Sequence, residues 1–192
     1  MEAFGEDIAA VVGGLGLERV ILVGHSMGGF AMIEAARRLP GRVAGMIAVD
    51  TLHDVEQAWD AAATANYLAA LERDFPGTVK QAMAGYFHSD ADPAKVEWVT
   101  ADMAAEPPAV GISAFRELIA YDPAAGLDAV AAPLRAVNSA LIPTNAEANR
   151  RHSRGFAVVA LDGTGHWPMF EVPEAFDAAL AKWVDELSTR KQ

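Results

Sequence analysis

The segment Gly24-His25-Ser26-Met27-Gly28-Gly29 holds the sequence's clearest chemistry. It spells G-x-S-x-G, and it stands between an apolar run, Arg19 to Val23, and a helical stretch, Phe30 to Leu39. A serine on so sharp a strand-to-helix turn stands clear of the sheet. The helix N-terminus behind it favours developing negative charge. Side chains two residues to either side would crowd the turn, so Gly24 and Gly28 are expected requirements. The backbone N–H of Met27 is placed to help hold an oxyanion. A serine hydroxyl also needs a neighbouring base before it can attack. Five histidines compete: His25, His53, His88, His152 and His166. His166 lies in Asp162-Gly163-Thr164-Gly165-His166-Trp167-Pro168, a glycine-bearing loop directly after the last strand-like run. That position singles it out as the base. His25 and Trp167 adjoin the two reactive residues and are expected at the substrate side or packed beside it. His53 and His88 border the pocket or lie on the surface, and His152 reads as an exposed helix residue.

These groups need a scaffold. Phe4, Ile8, Val11, Val12 and Leu15 recur at helical spacing, which predicts one buried helix face, ended by Gly13, Gly14 and Gly16. Arg19 to Val23 and Val43 to Val49 are short runs rich in β-branched residues and read as strands buried on both faces. The helix between them makes a βαβ unit, so parallel pairing follows. From Asp54 to Tyr121 the pattern is helical only. The candidates are 58–72, 78–87, 94–105 and 111–120, punctuated by Pro76-Gly77, Asp92-Pro93 and Pro107-Pro108. The aromatic residues there, Trp59, Tyr67, Phe75, Tyr86, Phe87, Trp98, Phe115 and Tyr121, are expected to be mostly core. Strand and helix then alternate again: strands at Leu134 to Val137 and Phe156 to Leu161, helices at Asn145 to His152 and Pro173 to Leu187.

With strand, turn and helix in this order, the G-H-S-M-G-G stretch resembles the nucleophile turn of the α/β-hydrolase superfamily, and the resemblance covers nearly the whole chain. It implies a partial α/β-hydrolase fold, a mainly parallel sheet of about four strands flanked by helices. Residues 1–53 and 122–192 would form the core, and 54–121 an inserted helical cap. The G-x-G-H stretch around His166 is similar to the family's histidine loop. Serine first and histidine last is also the family's chain order.

The orienting acid is less direct. In most of the family it follows the strand before the last, yet Ala136 to Thr144 contain no carboxylate, and Glu147 lies further on, along a helix. A minority, including haloalkane dehalogenases, carries the acid after the strand that follows the first helix. Asp50 occupies that place and, with no rival carboxylate in view, is expected to be the orienting acid. A structural or pocket role is the other reading of an aspartate there. A dehalogenase is disfavoured, because its nucleophile is an aspartate.

The resemblance implies hydrolysis of a carboxylic ester, lactone or thioester through an acyl-enzyme on Ser26, without metal or organic cofactor. Carbon–carbon hydrolysis, acyl transfer and perhydrolysis share the same groups. The family's earlier strands, and the loop that supplies a second oxyanion N–H, have no counterpart before residue 19. A truncated sequence, a missing half supplied by another chain and an inactive relative binding a small apolar ligand all fit, and the intact remaining segments favour truncation. The strand before Ser26 would then be an exposed edge, through which a homodimer could form.

Composition sets the outer limits. The 52% hydrophobic content excludes disorder, and the absence of cysteine excludes thiol catalysis and disulfides. A net charge of −11 argues against nucleic acid and anionic membranes as partners. No apolar run is bilayer-sized, and the acidic start lacks a secretory pattern, so the expected setting is cytoplasmic.

Overall fold

Four strands, β1 (Val20–His25), β2 (Val43–Val49), β3 (Leu134–Ser139) and β4 (Ala157–Leu161), pair in parallel in the order β1-β2-β3-β4. The computed structural model describes residues 1–189. Parallel neighbours require crossovers. α2 (Met27–Arg38) joins β1 to β2, and α8 (Ala146–His152) joins β3 to β4. Between β2 and β3 run α3 (Ala61–Arg73), α4 (Phe75–Ala84), α5 (Pro93–Ala104), α6 (Pro108–Ala120) and the short α7 (Pro123–Asp128). Asp60, Asp74, Asp92 and Asp122 each cap a helix of this stretch through the side chain.

The pleat of β2 divides the core into two layers. Met46 and Ala48 pack with Met32, Ile33 and Ala36 of α2, together with Leu127, Leu134 and Phe156. Ile47 and Val49 face the other way, onto Phe176, Ala179, Trp183 and Leu187 of α10 (Pro173–Thr189). The buried Trp183 indole N–H is satisfied by the carbonyl of Ala136 at 2.9 Å. Gly45 lets α10 close on the sheet, since a Cβ there would meet Leu187 at 2.5 Å. A separate cluster of Leu71, Phe75, Val79 and Ala104 holds α3 to α6 together.

Three sequence expectations are corrected. α1 (Glu2–Gly14) buries Gly5 and Val12, while Phe4, Val11 and Leu15 are exposed. α1 packs against α2, where Gly5 sits over Glu34 and any side chain would collide, so the smallest residue and not the largest marks the contact. β1 stands at the sheet edge, as its missing neighbours implied, but it is not buried on both faces: Val23 is 50% exposed. Among the aromatic residues expected in the core, Trp59, Tyr86 and Trp98 are exposed, each with its ring against a single aromatic neighbour, Phe115, His166 and Phe170 respectively. The reading also passed over two short helices, α7 and α9 (Pro168–Glu171), which are too brief for periodicity to register. Among the described residues no helix is long and apolar enough to cross a membrane.

Candidate active site

The reactive groups gather at the C-terminal ends of the parallel strands, as open α/β sheets favour. Ser26 follows β1 and caps α2. Its backbone, at φ 51° and ψ −125°, is one that L-residues rarely adopt. The turn is held by Ser26 N–H to Val49 O at 3.1 Å and Gly29 N–H to Ser26 O at 3.0 Å. Gly24 is needed, since a Cβ there would strike the Gly28 backbone. Gly28, expected to be equally constrained, faces open space. The second close approach is at Gly29, where a Cβ would meet Thr51 Cγ2 at 2.5 Å.

Asp50 and His166 lie 116 residues apart in the chain, and tertiary structure brings them together. His166 Nδ1–H donates to Asp50 Oδ2 at 2.7 Å. The proton on Nδ1 leaves Nε2 as the basic nitrogen, the tautomer a general base requires. Asp50 Oδ1 accepts the backbone N–H of Ser139 at 2.7 Å. Burial pushes the Asp50 carboxyl up, but the bonds from His166 and Ser139 outweigh it and hold the group below its usual range. Asp50 therefore stays ionised beside the imidazole.

His25 donates from Nε2 to the carbonyl of His166 at 2.7 Å, and the two rings lie 4.6 Å apart. Burial, with the neighbouring His166, keeps His25 more acidic than an ordinary histidine and hence neutral. Trp167 is buried and stacks on Phe87 at 4.2 Å, in a cluster that joins the histidine loop to α5 through Val99. Met27 begins α2 directly after Ser26. His53 Nε2 is 3.6 Å from Asp50 Oδ1. His88 offers its backbone N–H to Glu171, and His152 bridges Asp128 and Glu56 on the surface.

The sequence reading missed the groups that hold the histidine loop. Glu171 Oε1 accepts the backbone N–H of Gly165 at 3.0 Å and of Trp167 at 3.2 Å, on either side of His166. Its Oε2 takes the N–H of His88 from the helical insertion at 2.8 Å. The only sequence signal was a glutamate five residues after the histidine, without a pattern to mark it.

The profile of the Alpha/beta hydrolase family matches residues 2–179, nearly the whole chain. The chain belongs to that family. An esterase of Thermogutta terrifontis is 25% identical with a TM-score of 0.81, covering 98% of this chain and 73% of its own. An esterase of Exiguobacterium antarcticum, 18% identical, gives a TM-score of 0.83 over 94% of this chain and 72% of its own. A bromoperoxidase of Bacillus anthracis, 17% identical, gives 0.80 over 94% and 72%. The last two show the fold alone. No curated protein matches the sequence. Within the family the four-stranded sheet is a partial α/β-hydrolase fold.

Proposed function

We propose that this chain is a serine hydrolase that cleaves a carboxylic ester, or a related lactone or thioester. The observation that carries the reading is the 2.7 Å bond from His166 Nδ1 to Asp50, at the C-terminal end of the sheet where Ser26 sits in a strained turn. Ser26 Oγ attacks the carbonyl carbon while His166 Nε2 takes its proton. The N–H of Met27, at the start of α2, stabilises the oxyanion. His166 then protonates the leaving alcohol or thiol, and the acyl group stays on Ser26. Water, deprotonated by His166, attacks the acyl-enzyme and releases the acid. Asp50 holds the imidazole in its working tautomer and balances its transient charge. His25, through the His166 carbonyl, and Trp167, through its stack on Phe87, brace the segment that carries the histidine, and the insertion over residues 54–121 acts as a cap.

The test is labelling by a fluorophosphonate probe with turnover of p-nitrophenyl acetate and butyrate, each against Ser26→Ala. Labelling and turnover that vanish in Ser26→Ala support the reading. Full turnover by Ser26→Ala overturns it. A folded wild-type chain that neither labels nor turns over points instead to a relative that binds a small apolar ligand.

A further inference from the structure

Asp50 works from an awkward place. Its φ is 42°, and Leu52, two residues on, has φ 52°. Such conformations are strained and persist only when the surroundings over-determine them. Two asparagines, both fully buried, supply that constraint.

Asn138, the penultimate residue of β3, clamps Thr51, the residue between the two strained positions. Its Oδ1 accepts the Thr51 N–H at 3.3 Å, and its Nδ2 donates to the Thr51 carbonyl at 3.3 Å. Nδ2 also donates to Thr144 Oγ1 at 2.9 Å and faces His53 Nδ1 at 3.3 Å. The neighbours of Asn138 hold Asp50 itself: Val137 O accepts the Asp50 N–H at 3.0 Å, and the Ser139 N–H reaches its carboxylate. The end of β3 therefore grips the acid and the residue after it through three consecutive positions. Asn149, on α8, grips the same turn further along. Its Nδ2 donates to Leu52 O at 2.7 Å and its Oδ1 accepts the Val55 N–H at 3.1 Å. It does not touch Asp50 or Thr51 among the bonds described.

We infer that Asn138 is the positioning residue for the acid: by pinning Thr51 it fixes the direction in which Asp50 presents Oδ2 to His166. The inference rests on the proposed roles of Asp50 and His166. Asn149 holds the turn without setting that direction, so it serves as the structural control.

The experiment compares Asn138→Ala, Asn149→Ala, Asp50→Asn and Asn138→Ala/Asp50→Asn in the full chain. It reads melting temperature, kcat and KM for p-nitrophenyl butyrate, and the low-field proton resonance of the His166 Nδ1–H. Both alanine variants should lower the melting temperature comparably. Only Asn138→Ala should lower kcat, by roughly ten- to a hundredfold, since small misplacements of catalytic groups have effects of that order. KM should stay unchanged, and the low-field resonance should move or vanish. In the Asp50→Asn background, Asn138→Ala should lower kcat no further, because residues acting as one unit are non-additive.

If Asp50→Asn leaves kcat intact, Asp50 is not the acid and the inference falls with that reading. If Asp50→Asn is severe but Asn138→Ala matches Asn149→Ala in kcat and resonance, the acid stands and the role of Asn138 is overturned. The resonance decides the matter without turnover: retained unchanged in Asn138→Ala, it also overturns the inference. Should the alanine variant fail to fold, Asn138→Thr, whose β-branched side chain suits a strand, takes its place.

Discussion

The backbone N–H of His166 donates to the carbonyl oxygen of Tyr86 at 2.8 Å. The segment that carries the imidazole is thereby tied to the helical insertion as well as to the sheet. Glu171 reinforces the tie by collecting N–H groups from Gly165, Trp167 and His88.

This contact leaves no room at Gly165. A Cβ there would run into the Tyr86 carbonyl oxygen and lie 2.9 Å from His88 N. Gly165→Ala must push the histidine loop off the insertion. Overpacking of this kind destabilises by about 1–3 kcal/mol. The displaced imidazole should slow phosphonate labelling on the order of a hundredfold. Labelling at the wild-type rate would show that the loop is not positioned by the insertion.

Acid should unfold the protein in two stages. Burial, opposed by the nearby Asp50, keeps the His53 imidazole below its ordinary value of 6.5, and His25 behaves likewise. Below that value the unfolded chain binds protons that the folded chain refuses, so stability falls as pH drops from the ordinary value through the folded ones. Asp50 and Glu34 have depressed folded values, so their contribution is present above the ordinary carboxylate range and is lost in stronger acid. Urea unfolding between about pH 7 and pH 5 should therefore show a decline that His53→Gln makes shallower. His152, held above its ordinary value by Asp128 and Glu56, works the other way over the same interval, so the comparison decides: a His53→Gln profile no shallower than the wild type would contradict a buried, neutral His53.

Glu34 is a buried charge on α2. Tyr121 Oη–H donates to its Oε1 at 2.8 Å, Arg37 Nη1 reaches the same oxygen at 2.6 Å, and Arg38 pairs with Oε2. Burial raises the Glu34 carboxyl, but the bonds from Arg38, Tyr121 and Arg37 bring it below its usual value. Glu34→Ala should destabilise by about 3 kcal/mol, the lower end for removing one partner of a buried pair, because both arginines reach solvent. Chemical denaturation measures the loss, and kcat well below the melting temperature should not change.

Much of the frame could be read along the chain. The turn at Ser26, the strands that begin at Val43 and Leu134, and the closing helix are local patterns of apolar spacing and breakers, and such patterns survive in one dimension. α1 shows where that reading stops. Its apolar spacing pointed to Phe4, Val11 and Leu15, but the contact with α2 is set by close backbone approach at Gly5, which leaves no apolar signature.

By itself, then, the sequence determined the turn at Ser26, the loop that carries His166, and the parallel strand–helix order that places both at one end of a sheet. Each rests on glycines and apolar periodicity within a short window. Only the tertiary structure decided which carboxylate meets His166, and which groups hold the pair. Asp50 lies 116 residues from His166, and Asn138 lies 87 from Thr51. Such bonds join a side chain to whatever backbone or side chain the fold brings within about 3 Å. They carry no period: the place of Asp50 after β2 made it a candidate, but only the fold joined it to His166.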